Sequence, residues 1–259
     1  MQDLTVTIIQ ADLVWENKAA NLNRFERLLQ DVPRQSDLAV LPEMFSTAFT
    51  MNAAPLAEPP DGPTVRWLQE QAQKRDIHLI TSLIVKEKEK YYNRLFFVRP
   101  DGALFSYDKR HLFRMARENE VYSAGNDLLT VEVKGWRVRS FICYDLRFPV
   151  WTRNTNDAYD LAVFIANWPE RRAQHWITLL KARAIENQSY VVGVNRVGRD
   201  GLQIEYSGDS MIVDPLGNEP AHLRRQEGLH TERLSARTLT SYRRKFPVWM
   251  DSDSFEILK

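Results

Sequence analysis

The chain holds one cysteine, Cys143, and it sits where the character of the sequence changes. Trp136, Val138, Phe141 and Ile142 form a β-favouring run that delivers the thiol, and Asp145, Leu146, Arg147, Phe148 and Pro149 follow it. Proline is tolerated in a first helical turn but poorly inside a strand, so the cysteine falls at a strand-to-helix junction. A thiol there can stand at the mouth of a sheet, near the positive end of the next helix, which favours a thiolate nucleophile. Free cysteine is also among the most buried residue types, and a structural thiol fits the same stretch.

Two further strand ends carry the groups such a nucleophile would need. Glu43 closes Leu41-Pro-Glu43 after the short apolar strand at residues 37–41, and its neighbours Leu41, Met44 and Phe45 argue against full exposure. It reads either as a general base or as an ordinary surface glutamate. Lys109 and His111 lie in Tyr107-Asp-Lys-Arg-His-Leu-Phe113, where a strand gives way to a loop. A basic cluster of this length is commonly solvated surface, but an inward Lys109 would be a fixed donor to a developing oxyanion. Glu118 and Glu120 are candidate partners for that ammonium. Catalytic groups in α/β sheets gather at the carboxyl ends of strands, which is where all three stretches end.

The elements that must position them alternate. Residues 4–10 read as a buried β-branched strand, and Leu22, Phe25, Leu28, Leu29 and Val32 then recur at helical spacing behind Asn17, a suitable cap. With the strand at 37–41, this order predicts parallel pairing through a right-handed crossover. Residues 47–63, rich in Ala and Pro, read as a long surface loop before a helix with Trp67, Leu68 and Ala72 inward. Residues 77–85, 91–99 and 103–107 follow as strands, with a charged hairpin tip at 86–90. Residues 114–125 read as loop, 128–133 and 136–142 as a hairpin, and 148–154 as a short helix. A strand at 160–166 ends in Asn167-Trp-Pro169, and a helix at 171–188 turns Trp176, Leu179, Leu180 and Ile185 inward. A strand at 190–194, a loop at 198–201, a last hairpin at 211–217 and a basic helix at 235–245 complete the reading.

Composition sets outer bounds. With 259 residues and 35 Lys and Arg against 34 Asp and Glu, nothing suggests a nucleic-acid or membrane partner. One cysteine excludes an internal disulfide framework and fits a reducing, cytoplasmic setting. The N-terminus lacks a signal-peptide pattern, and no apolar run approaches the ~20 residues of a membrane span. No zinc-type ligand spacing and no Gly-rich phosphate loop are present, so no metal or cofactor is expected.

Taken in order, Leu41-Pro-Glu43, Tyr107-Asp-Lys-Arg-His-Leu-Phe113 and Cys143-Tyr-Asp-Leu-Arg-Phe148 resemble three motifs of the nitrilase superfamily of carbon–nitrogen hydrolases. The resemblance runs from Val6 to the region of Leu234 and takes in Asn167-Trp-Pro169 and Lys181-Ala-Arg-Ala-Ile-Glu-Asn187. Within the superfamily, residues 107–125 and the Asn-Trp-Pro group are most similar to bacterial omega-amidases. The resemblance implies a single α/β domain, residues 1–234, folded as a four-layer α-β-β-α sandwich; periodicity alone does not separate this from a doubly wound sheet. Residues 235–259 are then a C-terminal extension and a candidate part of a homo-oligomer interface.

The resemblance also implies roles. Cys143 would attack an amide carbon to form a thioester and release ammonia, with Glu43 as general base for the thiol and later for water. Lys109 and the backbone N–H of Tyr144 would hold the oxyanion, and Glu118, with Glu120 as the alternative, would position them. His111 is structural. The expected substrates are small dicarboxylate monoamides such as 2-oxoglutaramate, 2-oxosuccinamate or related keto-acid amides. Their far carboxylate needs a cation, for which Arg147 is the candidate; a buried ion pair with Asp145 or a glutamate is its other reading. Phe45, Phe113 and Trp168 would form an aromatic wall, Trp168 being core otherwise. A nitrilase, another aliphatic amidase or an N-carbamoyl amidohydrolase would use the same residues. A non-catalytic binding protein on this scaffold would be marked by loss of one of the three, and all three are present.

Overall fold

The structure, a computed structural model, describes residues 1–257. In chain order its first half holds β1 (Leu4–Gln10), α1 (Lys18–Gln30), β2 (Leu38–Val40), α2 (Ala53–Leu56), α3 (Pro63–Arg75), β3 (His78–Glu87), β4 (Lys90–Val98), β5 (Leu104–Asp108) and α4 (Glu118–Val121). Then come β6 (Thr130–Val133), β7 (Trp136–Ile142), α5 (Pro149–Thr152), β8 (Leu161–Ile165), α6 (Ala173–Glu186) and β9 (Tyr190–Val194). The last stretch holds β10 (Val197–Arg199), β11 (Glu205–Ser207), β12 (Ser210–Val213), β13 (Ala221–Leu223), β14 (Gly228–Leu234) and α7 (Ala236–Lys245).

Two six-stranded sheets result, ordered β14-β1-β2-β3-β4-β5 and β13-β12-β9-β8-β7-β6. Each has a parallel centre, β1-β2-β3 and β7-β8-β9, flanked by antiparallel strands. The apolar alternation of β1 and β2 decides the layers, because successive side chains leave opposite faces of a strand. Leu4, Val6, Ile8, Leu38 and Val40 join Val138, Leu161 and Val163 in the core between the sheets. Ile9, Ala39 and Leu41 face the other way, onto Phe25 and Leu29 of α1 and Val65, Leu68 and Ala72 of α3. Beyond the second sheet, Trp176, Leu180 and Ala184 of α6 close the far layer. Gly193 of β9 allows that close approach, since a Cβ there would stand 2.4 Å from Leu180 Cδ1. The architecture is therefore a four-layer α-β-β-α sandwich.

Local chemistry explains the helix ends. The Asn17 side chain accepts from the Ala20 N–H at 3.0 Å and starts α1, Pro63 occupies the first turn of α3, and left-handed Asp76 ends it. Ser235 caps α7, whose Leu239 is buried and whose Arg243 donates to Asp160 at 2.7 Å and to the Gln188 carbonyl at 2.8 Å.

Several expectations need correcting. Residues 47–63 are no plain surface loop: Thr47, Ala48 and Thr50 are buried, and α2 lies within the stretch. The apolar spacing of the loop residues carried no period that would have revealed this. Residues 114–125 contain a short 3-10 turn and α4. Ile185 is 51% exposed, because the inner stripe of α6 runs through Trp176, Leu180 and Ala184 instead. Of the loop at 198–201, Gly198 and Arg199 belong to strand β10, and Asp200 and Gly201 begin the tip of the β10–β11 hairpin. β14 was not expected; it pairs along the whole of β1, with Thr7 and Thr231 hydroxyls 2.8 Å apart.

Candidate active site

The parallel centres of both sheets discharge their carboxyl ends toward one place. After β2, Leu41 still bonds to the Ile80 carbonyl at 2.9 Å. Pro42 then breaks the ladder, and left-handed Met44 (φ 46°) turns the chain, its N–H held by Ser82 Oγ at 2.9 Å. This turn buries Glu43 completely. β5 ends at Asp108, and Lys109, 1% exposed, follows it inward, its N–H on the Asn93 carbonyl at 3.0 Å. β7 ends at Ile142, and Cys143 itself is left-handed (φ 44°) at the start of a 3-10 turn over Cys143–Arg147. A non-glycine residue there is strained, and such strain persists only where its surroundings over-determine it.

Buried Asp145 supplies that constraint. One carboxylate oxygen accepts from the Ile142 N–H at 3.0 Å and from the Tyr107 hydroxyl at 2.7 Å. The other accepts from the His111 N–H at 3.0 Å and lies 2.8 Å from His111 Nδ1. His111 also stacks on Phe148, centroids 3.7 Å apart, so its ring is spent on holding the elbow rather than facing the thiol.

Around Glu43 the polar groups form a closed network. Lys109 Nζ donates to Glu43 Oε1 at 2.9 Å and to Glu118 Oε1 at 3.0 Å. Asn93 Nδ2 bridges the same two oxygens at 2.7 and 3.3 Å. The Asn167 N–H donates to Glu43 Oε2 at 2.8 Å and its side chain to the Glu43 carbonyl at 2.6 Å. The Phe113 N–H donates to Glu118 Oε2 at 2.6 Å. Glu120 is exposed and pairs with Arg117 at 2.7 Å, so Glu118 is the carboxylate that joins the cluster. Asn93, inside β4, and Asn167, at the end of β8, were not singled out as site residues from the sequence. Asn167 was signalled only by the polar group ending an apolar strand; Asn93 had no signal in a continuous strand pattern.

Burial would lower the pKa of Lys109, but the charges of Glu118 and Glu43 outweigh it and hold the ammonium above its ordinary value. Burial, followed by the Glu43 charge, pushes the Cys143 thiol well up against the opposing pull of Lys109. The helix N-terminus expected to favour a thiolate is not formed: a short 3-10 turn follows the cysteine, and desolvation beside a carboxylate favours the thiol. Cys143 Sγ lies 4.0 Å from the Asn167 carbonyl, and a thiol with its pKa raised needs a base to attack.

Glu43, Lys109 and Cys143 line one cavity of about 490 Å³ with Tyr144, Arg147 and Phe113. Trp168 stands on the same wall, and the Arg147 guanidinium lies over its ring at 4.7 Å. Arg147 is not the buried ion pair its other reading required, because Asp145 is committed elsewhere. Phe45 is corrected: it is fully buried behind β2, against Phe25 and Trp67 at 5.1 and 5.8 Å, and does not reach the cavity wall. Residues 49–52 of the supposed surface loop take its place there, with the Phe49 ring 5.0 Å from Lys109 Nζ. Among the described residues no group of three or more His, Cys, Asp and Glu could hold a metal ion, and no helix is long and apolar enough to cross a membrane.

A model of the carbon–nitrogen hydrolase family matches residues 5–244. The chain is 46% identical to the omega-amidase YafV of Yersinia enterocolitica over 259 residues, all of both chains. It is 31% identical to the 2-oxoglutaramate amidase of Bacillus subtilis over 251 residues, 95% of this chain and 96% of that one. Among solved structures, a CN-hydrolase superfamily protein of Xanthomonas campestris, with an arsenic adduct in its active site, superposes with a TM-score of 0.97. It is 44% identical and covers 99% of this chain and 100% of its own. Nit3 of Saccharomyces cerevisiae, from branch 10 of the nitrilase superfamily, superposes with a TM-score of 0.84 at 27% identity, over 95% of each chain. Full-length agreement in sequence and in fold leaves one assignment: the chain belongs to the carbon–nitrogen hydrolase family.

Proposed function

We propose that the protein is an omega-amidase, hydrolysing the terminal amide of a short dicarboxylate monoamide (2-oxoglutaramate, 2-oxosuccinamate or a related keto-acid amide) to the acid and ammonia. The observation that carries this reading is a thiol sharing a cavity with a carboxylate whose every oxygen is already aimed by fixed donors. Glu43 takes the Sγ proton as sulfur attacks the amide carbon, and the carbonyl electron pair moves onto oxygen. Lys109 and the Tyr144 N–H receive that oxyanion. Collapse carries the proton to nitrogen, breaks the C–N bond, expels ammonia and leaves a thioester on Cys143. Glu43 then takes a proton from water, the hydroxide adds to the thioester carbon, and collapse breaks the C–S bond with the proton returned to sulfur. Water is the only co-reactant. Glu118 acts through Lys109, holding the ammonium in place.

For substrate choice the support is Arg147, cationic on the cavity wall, and the two amidase relatives. Kinetics on a nitrile, an N-carbamoyl amino acid, glutaramate and 2-oxoglutaramate test it: the ω-amides should be turned over with the highest kcat/KM, and a preference for the nitrile would overturn the reading. The lone thiol supports a reducing cytoplasmic setting. Exposed Phe246, Trp249, Met250 and Phe255 support a role of residues 235–259 in a homo-oligomer, against which a monomer by light scattering would count.

A further inference from the structure

The acidic residues of the cavity are satisfied from within the protein, and three arginines have no carboxylate partner. Glu43 is held as described. Glu16 accepts from the Thr50 hydroxyl at 2.6 Å and from Asn52 Nδ2 at 3.0 Å. Asp200 accepts from the N–H groups of Leu202 and Ile204 at 2.8 and 2.9 Å and from the Tyr206 hydroxyl at 2.8 Å. Glu170, just outside, is paired with Arg225 at 2.5 Å. Arg147, Arg171 and Arg172 line the same cavity, and among the described residues none of them makes an ion pair.

Arg172 stands out among the three. It is half-buried, whereas Arg171 is exposed. Its guanidinium lies over the Phe113 ring at 5.3 Å, which backs one face and leaves the N–H edge unspent. Arg147 instead gives one N–H to His175 Nδ1 at 3.0 Å. The two arginines share one support: Arg147 stacks on the face of Trp168, and the Trp168 indole N–H donates to the Arg172 carbonyl at 2.8 Å. Trp168 is itself fixed by Trp176, centroids 5.4 Å apart. Burial, followed by the charges of Arg171 and Arg147, lowers the pKa of Arg172, and all three guanidinium groups line the one cavity.

We infer that Arg172 is a substrate-binding residue that, with Arg147, forms a two-sided guanidinium clamp for the far carboxylate of the amide substrate. The inference rests on the omega-amidase reading. Arg172 is then what separates an ω-carboxylate amide from a neutral amide of equal length. The planar fork matches a carboxylate, and an anion seated there relieves the repulsion between the arginines.

The test compares glutaramate with pentanamide for the full-length enzyme and for Arg172→Gln and Arg172→Lys. For Arg172→Gln the ratio of kcat/KM for glutaramate over pentanamide should fall roughly 10- to 100-fold, carried by KM. Arg172→Lys should lose part of that, having kept the charge but not the fork. An unchanged ratio, whether both substrates weaken together or neither does, would overturn the inference. So would variants that fail to fold, because the side chain would then be structural. If the unaltered enzyme shows no preference for glutaramate, the omega-amidase reading fails first. A preference that survives Arg172→Gln removes only the clamp.

Discussion

Lys109 sits between two carboxylates, Glu43 at 2.9 Å and Glu118 at 3.0 Å, with all three side chains out of water. Removing one partner of a buried ionic cluster leaves uncompensated charge, which is costlier than the cluster was favourable. Glu118 shows the direction: burial and then the Glu43 charge raise its pKa above 4.5, even though Lys109 opposes them. In Lys109→Met that opposition vanishes and the folded-state pKa climbs further. A carboxyl whose folded pKa exceeds its unfolded value contributes most below the unfolded value and loses that contribution as pH rises through the folded one. Lys109→Met should therefore be inactive and destabilised by about 3–5 kcal/mol at pH 8. Relative to the unaltered protein, its melting temperature should recover at pH 5. A deficit equal at the two pH values would contradict the account.

The junction between β7 and the 3-10 turn is where element geometry becomes chemistry. A left-handed Cys143 costs roughly 1 kcal/mol relative to a residue without a Cβ clash, and Asp145 holds the turn through four contacts. Cys143→Gly should thus melt higher than Cys143→Ala, by the equivalent of about 1 kcal/mol, although both lack the proposed nucleophile. Equal stability in denaturant titrations would mean the elbow is unstrained. Much of this element-level organisation was legible beforehand. The strand ends carrying Glu43, Lys109 and Cys143 announced themselves because apolar runs stopped at charged or reactive residues. β14 did not, since Leu229, His230, Thr231 and Glu232 are only half-buried and show no sharp alternation. Asn93 was hidden inside a strand whose pattern asked for nothing polar. Phe45 was misplaced because one residue of register decides whether a side chain after β2 faces the cavity or the outer layer.

Across the whole molecule, the two sheets meet so that residues 43, 109, 143 and 167 converge on one cavity from four strand ends. Asn167 of the second sheet donates to Glu43 of the first, and His111 and Asp145 join the sheets again beside the thiol. The site is therefore built into the sandwich itself, with residues 49–52 and the loop and strand residues Asp200, Leu202, Ile204 and Tyr206 supplying further walls. Substrate preference was the least legible property in the sequence, because on the proposed reading it depends on those walls and on Arg147 and Arg172, which no strand pattern marks. The central claim is that Cys143 carries the acyl group. Rapid quenching during turnover of 2-oxoglutaramate, followed by intact-protein and peptide mass spectrometry, addresses it directly. The account predicts an acyl adduct on the Cys143 peptide, and neither adduct nor ammonia release from Cys143→Ala. Ammonia release retained by a folded Cys143→Ala protein would contradict it.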